Sequence, residues 1–360
     1  MRCDEAPEVR IERLVRYLCS PSCAGRLPGS AEGIAARERI VGEFTEAGLD
    51  PFGDDGFIQL VPRCGANVLG ILPGQGPRAE RAVLVAAHYD HLGPDHDGSV
   101  YWGADDNAAA VAVMVEVARA LGGMRSQLDR SVIFAAFDGE EMPHFLQETM
   151  GSMHYVRRPP RPIAQLDLMV CMDLVGHALG PTHLPASIRN SLFVMGSELS
   201  PGTAALVDRV GHGRTAVVPR KIDLDVVPPL SDYYAFRRAG VPVLFLTCGR
   251  WEHYHRPTDT PEKLDYPKIA ATAEFLRDLT LAASTRPEAR VPLHSDARDD
   301  ATTLRTMIEM GHVLAAEIPT AADALPLAEA LAAKAEAGPL DESERRFITQ
   351  LLMGLESLLE

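Results

Sequence analysis

Four apolar runs, each followed at once by polar residues, constrain the fold of this chain more than any other sequence feature. The runs cover residues 81–88, 130–137, 166–172 and 241–246. Each is almost continuously apolar, which is typical of a strand buried on both faces of a largely parallel sheet. Segments with helical spacing, such as residues 107–121, lie between them. Strands alternating with helices predict an α/β fold, here a three-layer αβα sandwich with a mostly parallel central sheet.

The length and local composition predict one large domain with an appendage. Residues 284–300 are rich in Pro, Arg, Asp and Ser, which marks a linker, and helical spacing resumes beyond them. We therefore predict a principal domain over residues 1–285, a linker over 286–300 and a C-terminal helical segment over 301–360. We expect the apolar stripe of this segment to pack on the principal domain, or alternatively to join two copies of the chain; it contains Ile348, Leu352, Leu355 and Leu359.

The charge balance excludes several classes of partner. The formal net charge is −15 at pH 7, which repels nucleic-acid phosphates and anionic membrane surfaces. No apolar run approaches the roughly 20 residues that a membrane-spanning helix needs. The first residues lack the plan of a signal peptide, so we expect a cytoplasmic protein, or a secreted one if the sequence begins at a processed end.

The polar residues that follow the strands are of the types that bind divalent metal ions. They are His88, Asp106, the pair Glu140 and Glu141, Asp173 and His255. Ligands of α/β sheets collect at the carboxyl ends of the strands, where each of these residues is expected to lie. Imidazole and carboxylate groups are ligands that zinc accepts in proteins. The sequence therefore predicts a zinc site at this edge of the sheet.

Adjacent carboxylates at positions 140 and 141 suggest two different roles. If Glu141 binds a metal ion, Glu140 is held nearby and directed elsewhere, where it can act as a general base. Zinc lowers the pKa of a bound water to about 7, so hydroxide becomes available at neutral pH. The pattern therefore indicates metal-assisted hydrolysis.

Three neighbouring polar residues are expected to support the ligands. Asp90 is placed to accept the distal N–H of a metal-bound His88. Asp105 or Asn107 is expected to cap the helix that follows. Asp106 is expected to bridge two metal ions.

These motifs together resemble the zinc aminopeptidase family known as M28. The stretches are H-x-D at residues 88–90, G-x-D-D-N at 103–107, E-E at 140–141, Asp173, and Y-H-x-P-x-D-T at 254–260, in the family's order. The resemblance covers roughly residues 10 to 280. It implies an exopeptidase that holds two zinc ions per chain and removes N-terminal residues from peptide or aminoacyl substrates.

The resemblance also implies roles for individual residues. One zinc would take His88 and Asp173, the other Glu141 and His255, with Asp106 shared and Glu140 as the general base. Tyr254 matches a position that donates a hydrogen bond to the developing oxyanion in some relatives. Spacing alone leaves His253 and His255 open as ligands, and the resemblance favours His255. His91 is expected to be a structural or rim residue.

Two segments bear on the substrate pocket that the resemblance implies, and two functions other than aminopeptidase stay open. Residues 142–151 are longer than the link usual in the family, and residues 177–230 are expected to form further rim loops, so both bear on substrate choice. The first alternative is a glutaminyl cyclase of the same fold, which transfers an acyl group within its substrate and uses one zinc. The second is a binding protein that kept the fold without catalysis.

Overall fold

A computed structural model describes residues 5–359 and shows a mixed β-sheet between layers of helices. The sheet has nine strands within the described residues. They are β1 (Asp50–Pro51), β2 (Ile58–Val61), β3 (Gly65–Leu72), β4 (Ala82–His88), β5 (Ser131–Phe137), β6 (Leu166–Met172), β7 (Ser191–Met195), β8 (Val218–Ile222) and β9 (Val243–Thr247). The main helices are α1 (Pro7–Leu18), α2 (Ala31–Glu46), α3 (Ala109–Gly122), α4 (Gly151–Arg157), α5 (Ala186–Arg189), α6 (Thr203–Gly211), α7 (Tyr233–Arg238), α8 (Tyr266–Ser284), α9 (Asp300–Leu314), α10 (Leu325–Ala337) and α11 (Glu342–Leu359).

The four predicted strands lie side by side at the centre of the sheet. The strand order is β1-β3-β5-β4-β6-β9-β7-β8, with β2 also paired to β3. The neighbours β5, β4, β6 and β9 all run parallel. Antiparallel pairs join β3 to β5 and β7 to β9 towards the edges. The predicted α/β class with a mostly parallel centre is therefore confirmed.

Both faces of the central strands are buried, which explains their continuous apolar sequence. In β4, Val83 and Val85 pack into one core, and Leu84 and Ala86 pack into another on the opposite face. The first core includes side chains from α1, α2, α3, α6 and α8. The second includes side chains from α4, α5, α7 and the three C-terminal helices. The arrangement has three layers, as the sequence predicts.

The C-terminal helices α9, α10 and α11 cover the second face of the sheet. Leu304, Ile348 and Leu359 are buried in the same core as β6 and β9. An Asp341–Glu344 capping box begins α11, because each residue's backbone N–H donates to the other's carboxylate. The irregular segment before α9 is tied to the principal domain, since Val291 N–H donates to the Asp167 carboxylate. Packing of the stripe between two copies of the chain stays a prediction.

Residues 177–230 are more ordered than the predicted rim loops. They contain β7 and β8, which extend the sheet, as well as α5 and α6. The prediction of loops was wrong for β7 and β8. The sequence gives no sign of β8, because it reads Val-Pro-Arg-Lys-Ile and only Ile222 of it is fully buried. An edge strand of this kind lacks the continuous apolar run that marks the central strands.

Within residues 5–359, no helix combines the length and the apolar character needed to span a membrane.

Candidate metal centre

The ends of four parallel strands bring the predicted side chains to one crevice. His88 is the last residue of β4, and Glu140 and Glu141 follow β5 after a short turn. Asp173 follows β6 directly, and His255 lies in the loop after β9. Asp106 reaches the same place from the turn that precedes α3. The carboxyl ends of parallel strands therefore position the cluster, as they do in other open α/β sheets.

His88, Asp106 and Asp173 form the first group of candidate ligands. His88 Nε2 lies 3.4 Å from Asp106 Oδ1 and 3.5 Å from Asp173 Oδ1. One ligand atom from each residue lies within 4.8 Å of the others, and all three residues are buried. One imidazole and two carboxylates are a donor set that a single zinc ion accepts.

Asp106, Glu141 and two histidines form the second group. His255 Nε2 lies 3.1 Å from Asp106 Oδ2 and 3.3 Å from Glu141 Oε1. His91 Nδ1 lies 2.9 Å from Glu141 Oε1 and 3.9 Å from Asp106 Oδ2. The two oxygens of Asp106 thus face different groups, Oδ1 the first and Oδ2 the second. A carboxylate in this position can bridge two cations.

The chemistry of the donors fits bound cations. Within residues 5–359, His88 Nε2, the atom that faces Asp106 and Asp173, is buried and has no hydrogen-bond partner. Asp106, Glu140, Glu141 and Asp173 are each at least nine-tenths buried. Buried carboxylates are costly unless they are paired or coordinate a metal. Two divalent ions would offset this negative charge, and the residues present suit zinc.

Asp90 supports the site through a different contact from the one predicted. Its carboxylate accepts the backbone N–H groups of Glu140 and Glu141, both at 3.1 Å. His88 Nδ1 lies 3.3 Å from the Asp90 carbonyl oxygen and 3.6 Å from Asp90 Oδ1. His88 Nδ1 thus lies closer to the Asp90 carbonyl oxygen than to the Asp90 carboxylate, which was the expected partner. The Asp90 carboxylate instead fixes the end of β5 beside the end of β4.

The predicted helix cap at Asp105 or Asn107 was wrong. The Asp259 carboxylate accepts the backbone N–H groups of Asp105 and Asp106, at 2.9 and 3.1 Å. The Asp105 side chain instead contacts His177 at 2.7 Å, and Asn107 Nδ2 donates to the carbonyl of Met172. Sequence spacing cannot identify Asp259 in this role, because it lies about 150 residues further along the chain.

A fully buried arginine holds two of the ligand segments together. Arg26 donates to the carbonyl oxygens of Tyr89, Trp102 and Gly103 at 2.7 to 2.8 Å. Tyr89 adjoins His88, and Gly103 begins the turn that carries Asp106. Gly103 has a φ of 59°, and a Cβ there would lie 2.2 Å from the Asp106 carbonyl oxygen. The turn therefore requires glycine at this position.

In the metal-free cluster, the histidines and the carboxylates shift one another's pKa values. Burial lowers the pKa of His255, but the carboxylates of Asp106 and Glu141 outweigh burial and raise it to about 10. Burial also opposes protonation of His88, whose pKa the carboxylates of Asp173 and Glu140 raise well above its usual value. The pKa of Asp106 is lowered despite burial because both histidines face it. Without metal, these two imidazoles therefore carry protons at neutral pH.

Glu140 and Tyr254 lie at the edge of the cluster. Glu140 Oε2 is 3.9 Å from His88 Nε2, and burial raises the pKa of this carboxyl group well above its usual value. The Tyr254 ring stacks on the His255 ring with centroids 3.9 Å apart. Burial, followed by the nearby carboxylates, raises the Tyr254 pKa, so the phenol keeps its proton. His253 faces away, with Nδ1 3.1 Å from Thr258 Oγ1, so only His255 of the pair approaches the acids.

Two residues of the site were not predicted as candidate ligands or catalytic groups. His91, expected to be a structural or rim residue, is fully buried and contacts Glu141, so it does not lie at the rim. The spacing of His88 and His91 was a usable signal, since both lie at the end of the same strand. Asp232 is also fully buried, and burial together with the nearby acids raises its pKa to about 7. It precedes a short helix rather than a predicted strand end, so the pattern gave no sign of it.

A family comparison agrees with this geometry. The sequence model of the family described as Peptidase family M28 matches residues 67–280, more than half of the chain. This chain belongs to peptidase family M28. The matched range contains every member of the two ligand groups. The matched range, hereafter the M28 domain, ends within α8, and the three C-terminal helices lie outside it.

The sequence relatives of this M28 protein include glutaminyl-peptide cyclotransferases, whereas aminopeptidases are found among solved structures of the same fold. This chain is 31% identical to a glutaminyl-peptide cyclotransferase of Bos taurus over 290 residues, which cover 72% of this chain and 79% of that protein. It is 27% identical to the uncharacterized protein YfbL of Escherichia coli K12 over 294 residues, covering 75% and 86%. Solved structures of the same fold include aminopeptidases and glutaminyl cyclases. The LapA aminopeptidase of Legionella pneumophila has a TM-score of 0.61 at 14% identity, covering 78% of this chain and 73% of that one.

Proposed function

We propose that this M28 protein is a two-zinc aminopeptidase that hydrolyses the N-terminal residue from peptides. The observation that carries the proposal is the pair of ligand groups that share Asp106, one oxygen facing each group. Hydrolysis needs an activated water as well as a polarised carbonyl, and two adjacent cations suit both requirements. Zinc, when bound, supplies Lewis acidity that polarises the scissile carbonyl and makes water acidic enough to react near neutral pH.

In the proposed reaction, Glu140 moves the proton. Its Oε2 takes a proton from the attacking water and later returns it to the amine that leaves. The backbone N–H of Glu140 is fixed by the Asp90 carboxylate, and its side chain is nearly enclosed. The carboxylate is therefore held close to the reacting atoms and shielded from bulk water.

Tyr254 stabilises the developing negative charge in this scheme. Its phenol keeps the proton at neutral pH and lines the same cavity as Glu140 and His255. A preorganised donor aimed at a developing oxyanion is worth several kcal/mol in a water-poor site, on the order of 10² in turnover. Stacking on His255 restricts the orientation of the Tyr254 ring.

A second candidate function is glutaminyl cyclisation. The relative from Bos taurus, at 31% identity, is named for this activity. Cyclisation uses the substrate's own amine as nucleophile, so it needs no activated water and no second cation. The presence of two ligand groups instead of one favours hydrolysis.

Metal analysis combined with two activity assays separates the candidates. We expect about two zinc ions per chain by inductively coupled plasma mass spectrometry. We also expect release of p-nitroaniline from a panel of aminoacyl p-nitroanilides. A chain with one zinc that converts glutaminyl peptides to pyroglutamyl peptides, detected by mass spectrometry, would overturn the aminopeptidase proposal. A zinc-loaded chain inactive in both assays would favour the non-catalytic alternative.

A further inference from the structure

Two of the candidate ligand segments hold their backbone in an unfavourable conformation. Leu174, directly after Asp173, has a φ of 55°, and His255 has a φ of 52°. Both values lie in the left-handed region, which costs a residue with a side chain roughly 1–2 kcal/mol. Such a conformation persists only where the surrounding contacts hold it. The contacts around these two segments therefore help to keep the ligands in place.

His177 joins the segment after β6 to the turn before α3. It is buried, and it follows the candidate ligand Asp173 by four residues. Its Nδ1 lies 2.7 Å from Asp105 Oδ2, and because a carboxylate accepts, the imidazole N–H donates this hydrogen bond. The other oxygen of Asp105 accepts the backbone N–H of Gly176 at 2.5 Å. Since Asp105 adjoins Asp106, these contacts connect the segments of two ligands.

The same ring joins both segments to the loop that carries His255. It stacks on the Trp251 indole, with ring centroids 4.7 Å apart and planes inclined by 11°. Trp251 is half-buried and precedes His255 by four residues. The edge and the face of one imidazole thus connect the segments of Asp106, Asp173 and His255.

Two hydrogen bonds fix the backbone at position 177 independently of the ring. Lys268 of α8 is buried, and its Nζ donates to the His177 carbonyl oxygen at 2.8 Å. The Asp265 backbone N–H donates to the carbonyl oxygen of Gly176, the preceding residue, at 2.9 Å. A substitution of His177 therefore removes the contacts of the ring and leaves those of the main chain.

We propose that His177 is a positioning residue for the metal centre, whose imidazole sets how the three ligand segments lie relative to one another. For the presence of two zinc ions, this role rests on the proposed function. The N–H edge acts through Asp105 on Asp106, the carboxylate shared by both ions. The face acts through Trp251 on His255, a ligand of one ion only. The two contacts therefore have different effects on the two ions.

Two substitutions separate these contacts. His177→Asn keeps a donor N–H near the position of Nδ1 and removes the stacking face. It should weaken the ion held by His255 about tenfold or more and leave the other ion unchanged, because groups that orient metal ligands contribute about 10- to 100-fold in affinity. His177→Phe keeps the face and removes the donor, so it should weaken both ions. Calorimetric titration of zinc into the metal-free full chain measures both affinities, and His255→Ala identifies the ion that this histidine holds.

Ile348→Ala is the matched control for a general loss of stability. Ile348 is fully buried in the second core, under α11. Its substitution should destabilise the chain and keep both zinc affinities. Unchanged affinities in both His177 variants, or losses no larger than those of Ile348→Ala at the same loss of stability, would overturn the inference. Equal weakening of both ions by His177→Asn would overturn the link between the ring face and His255.

A substitution on the other side of the stack covers the case in which the His177 variants do not fold. Trp251→Leu removes the indole and leaves the contact between His177 and Asp105. It should weaken the ion held by His255 as much as His177→Asn does. If both act through one contact, the double variant should lose no more affinity than either single variant. Additive losses would show that the two rings act independently, which contradicts the proposed role.

Activity assays separate this role from the proposed function. Two zinc ions with the expected dependence on His177, but no release of p-nitroaniline, would refute the aminopeptidase and leave the positioning role standing. Peptidase activity with wild-type zinc affinities in both His177 variants would do the reverse. A wild-type chain that binds a single zinc ion would overturn both the two-zinc proposal and the different effects expected of the two contacts.

Discussion

At the residue scale, the site depends on carboxylates whose two oxygens each contact a different partner. Asp106 directs one oxygen to each ligand group, and Asp90 directs one oxygen to each of two successive backbone amides. Within residues 5–359, neither carboxylate forms an ion pair with an arginine or a lysine. The negative charge of the site is therefore left for metal ions to offset.

Replacing Glu140 with glutamine tests its role as proton carrier. Glu140→Gln keeps the shape of the side chain but removes its ability to accept a proton. We expect unchanged zinc content and a kcat lower by a factor of about 10² or more, because general base catalysis contributes this amount. Steady-state kinetics and metal analysis on the same preparation make the comparison.

The matched control is Glu148→Gln, at an exposed residue that pairs with Arg157 on the surface. It should keep the wild-type kcat. Unimpaired turnover in Glu140→Gln would remove Glu140 from the mechanism.

Proton release on metal binding tests the electrostatics of the ligands. In the metal-free chain, the pKa of His255 is raised to about 10, so its imidazole is protonated at pH 7. A metal ion needs the neutral form, so binding at this histidine displaces about one proton. Zinc affinity should therefore fall as pH decreases below 10, by up to about tenfold per pH unit for this proton. Isothermal titration in buffers of different ionisation enthalpy measures the release.

The neighbouring histidine is the control for this measurement. His253→Ala should release the same number of protons as the wild type, because His253 contacts Thr258 rather than the acids. His255→Ala should release fewer. Equal release from all three proteins would contradict the assignment of the proton to His255.

At the element scale, the sequence predicts the central strands and the polar residues that follow them. It does not predict the hydrogen bonds that loops distant in the chain make to the site. The apolar runs and the polar residues after them are local patterns, so β4, β5, β6 and β9 and their ligands could be predicted. The hydrogen bonds from Asp259 to the turn before α3 join residues far apart in the chain. Asp232 and β8 lack a distinctive local pattern, so only the folded chain shows that Asp232 is buried and that β8 pairs with β7.

The buried arginine that links two ligand segments gives a prediction at this scale. Arg26→Lys keeps the charge but cannot reach the carbonyls of Tyr89, Trp102 and Gly103 together. We expect the free energy of unfolding to fall by roughly 2–4 kcal/mol, because buried acceptors lose their donors. Zinc affinity should fall as well, since the segments carrying His88 and Asp106 are no longer joined. Chemical denaturation and zinc titration measure the two effects.

Arg157→Lys is the control, since Arg157 is exposed and its ion pair with Glu148 is on the surface. Its effect on stability should be within about 0.5 kcal/mol. A stable Arg26→Lys variant with normal zinc affinity would show that the two segments hold their positions without the guanidinium.

At the scale of the whole molecule, the C-terminal helices share the core of the M28 domain. The second core joins residues of β4, β6 and β9 to residues of α9, α10 and α11. The sequence could predict the helices of residues 301–360 from their spacing and their capping box. It could not predict that α11 reaches the cavity beside the metal centre, because that contact joins residues far apart in the chain.

This shared core predicts that the chain unfolds as one unit. Ile348 of α11 is fully buried, and Ile348→Ala should lower the free energy of unfolding by about 2–4 kcal/mol through the lost apolar contacts and the cavity left behind. Phe347 next to it is 45% exposed, so Phe347→Ala should cost less than about 1 kcal/mol. If α11 is part of the common core, Ile348→Ala shifts a single unfolding transition that near-ultraviolet circular dichroism, far-ultraviolet circular dichroism and zinc release all report at the same denaturant concentration. Two separated transitions, with only the first shifted by Ile348→Ala, would instead show that residues 301–359 unfold independently of the M28 domain.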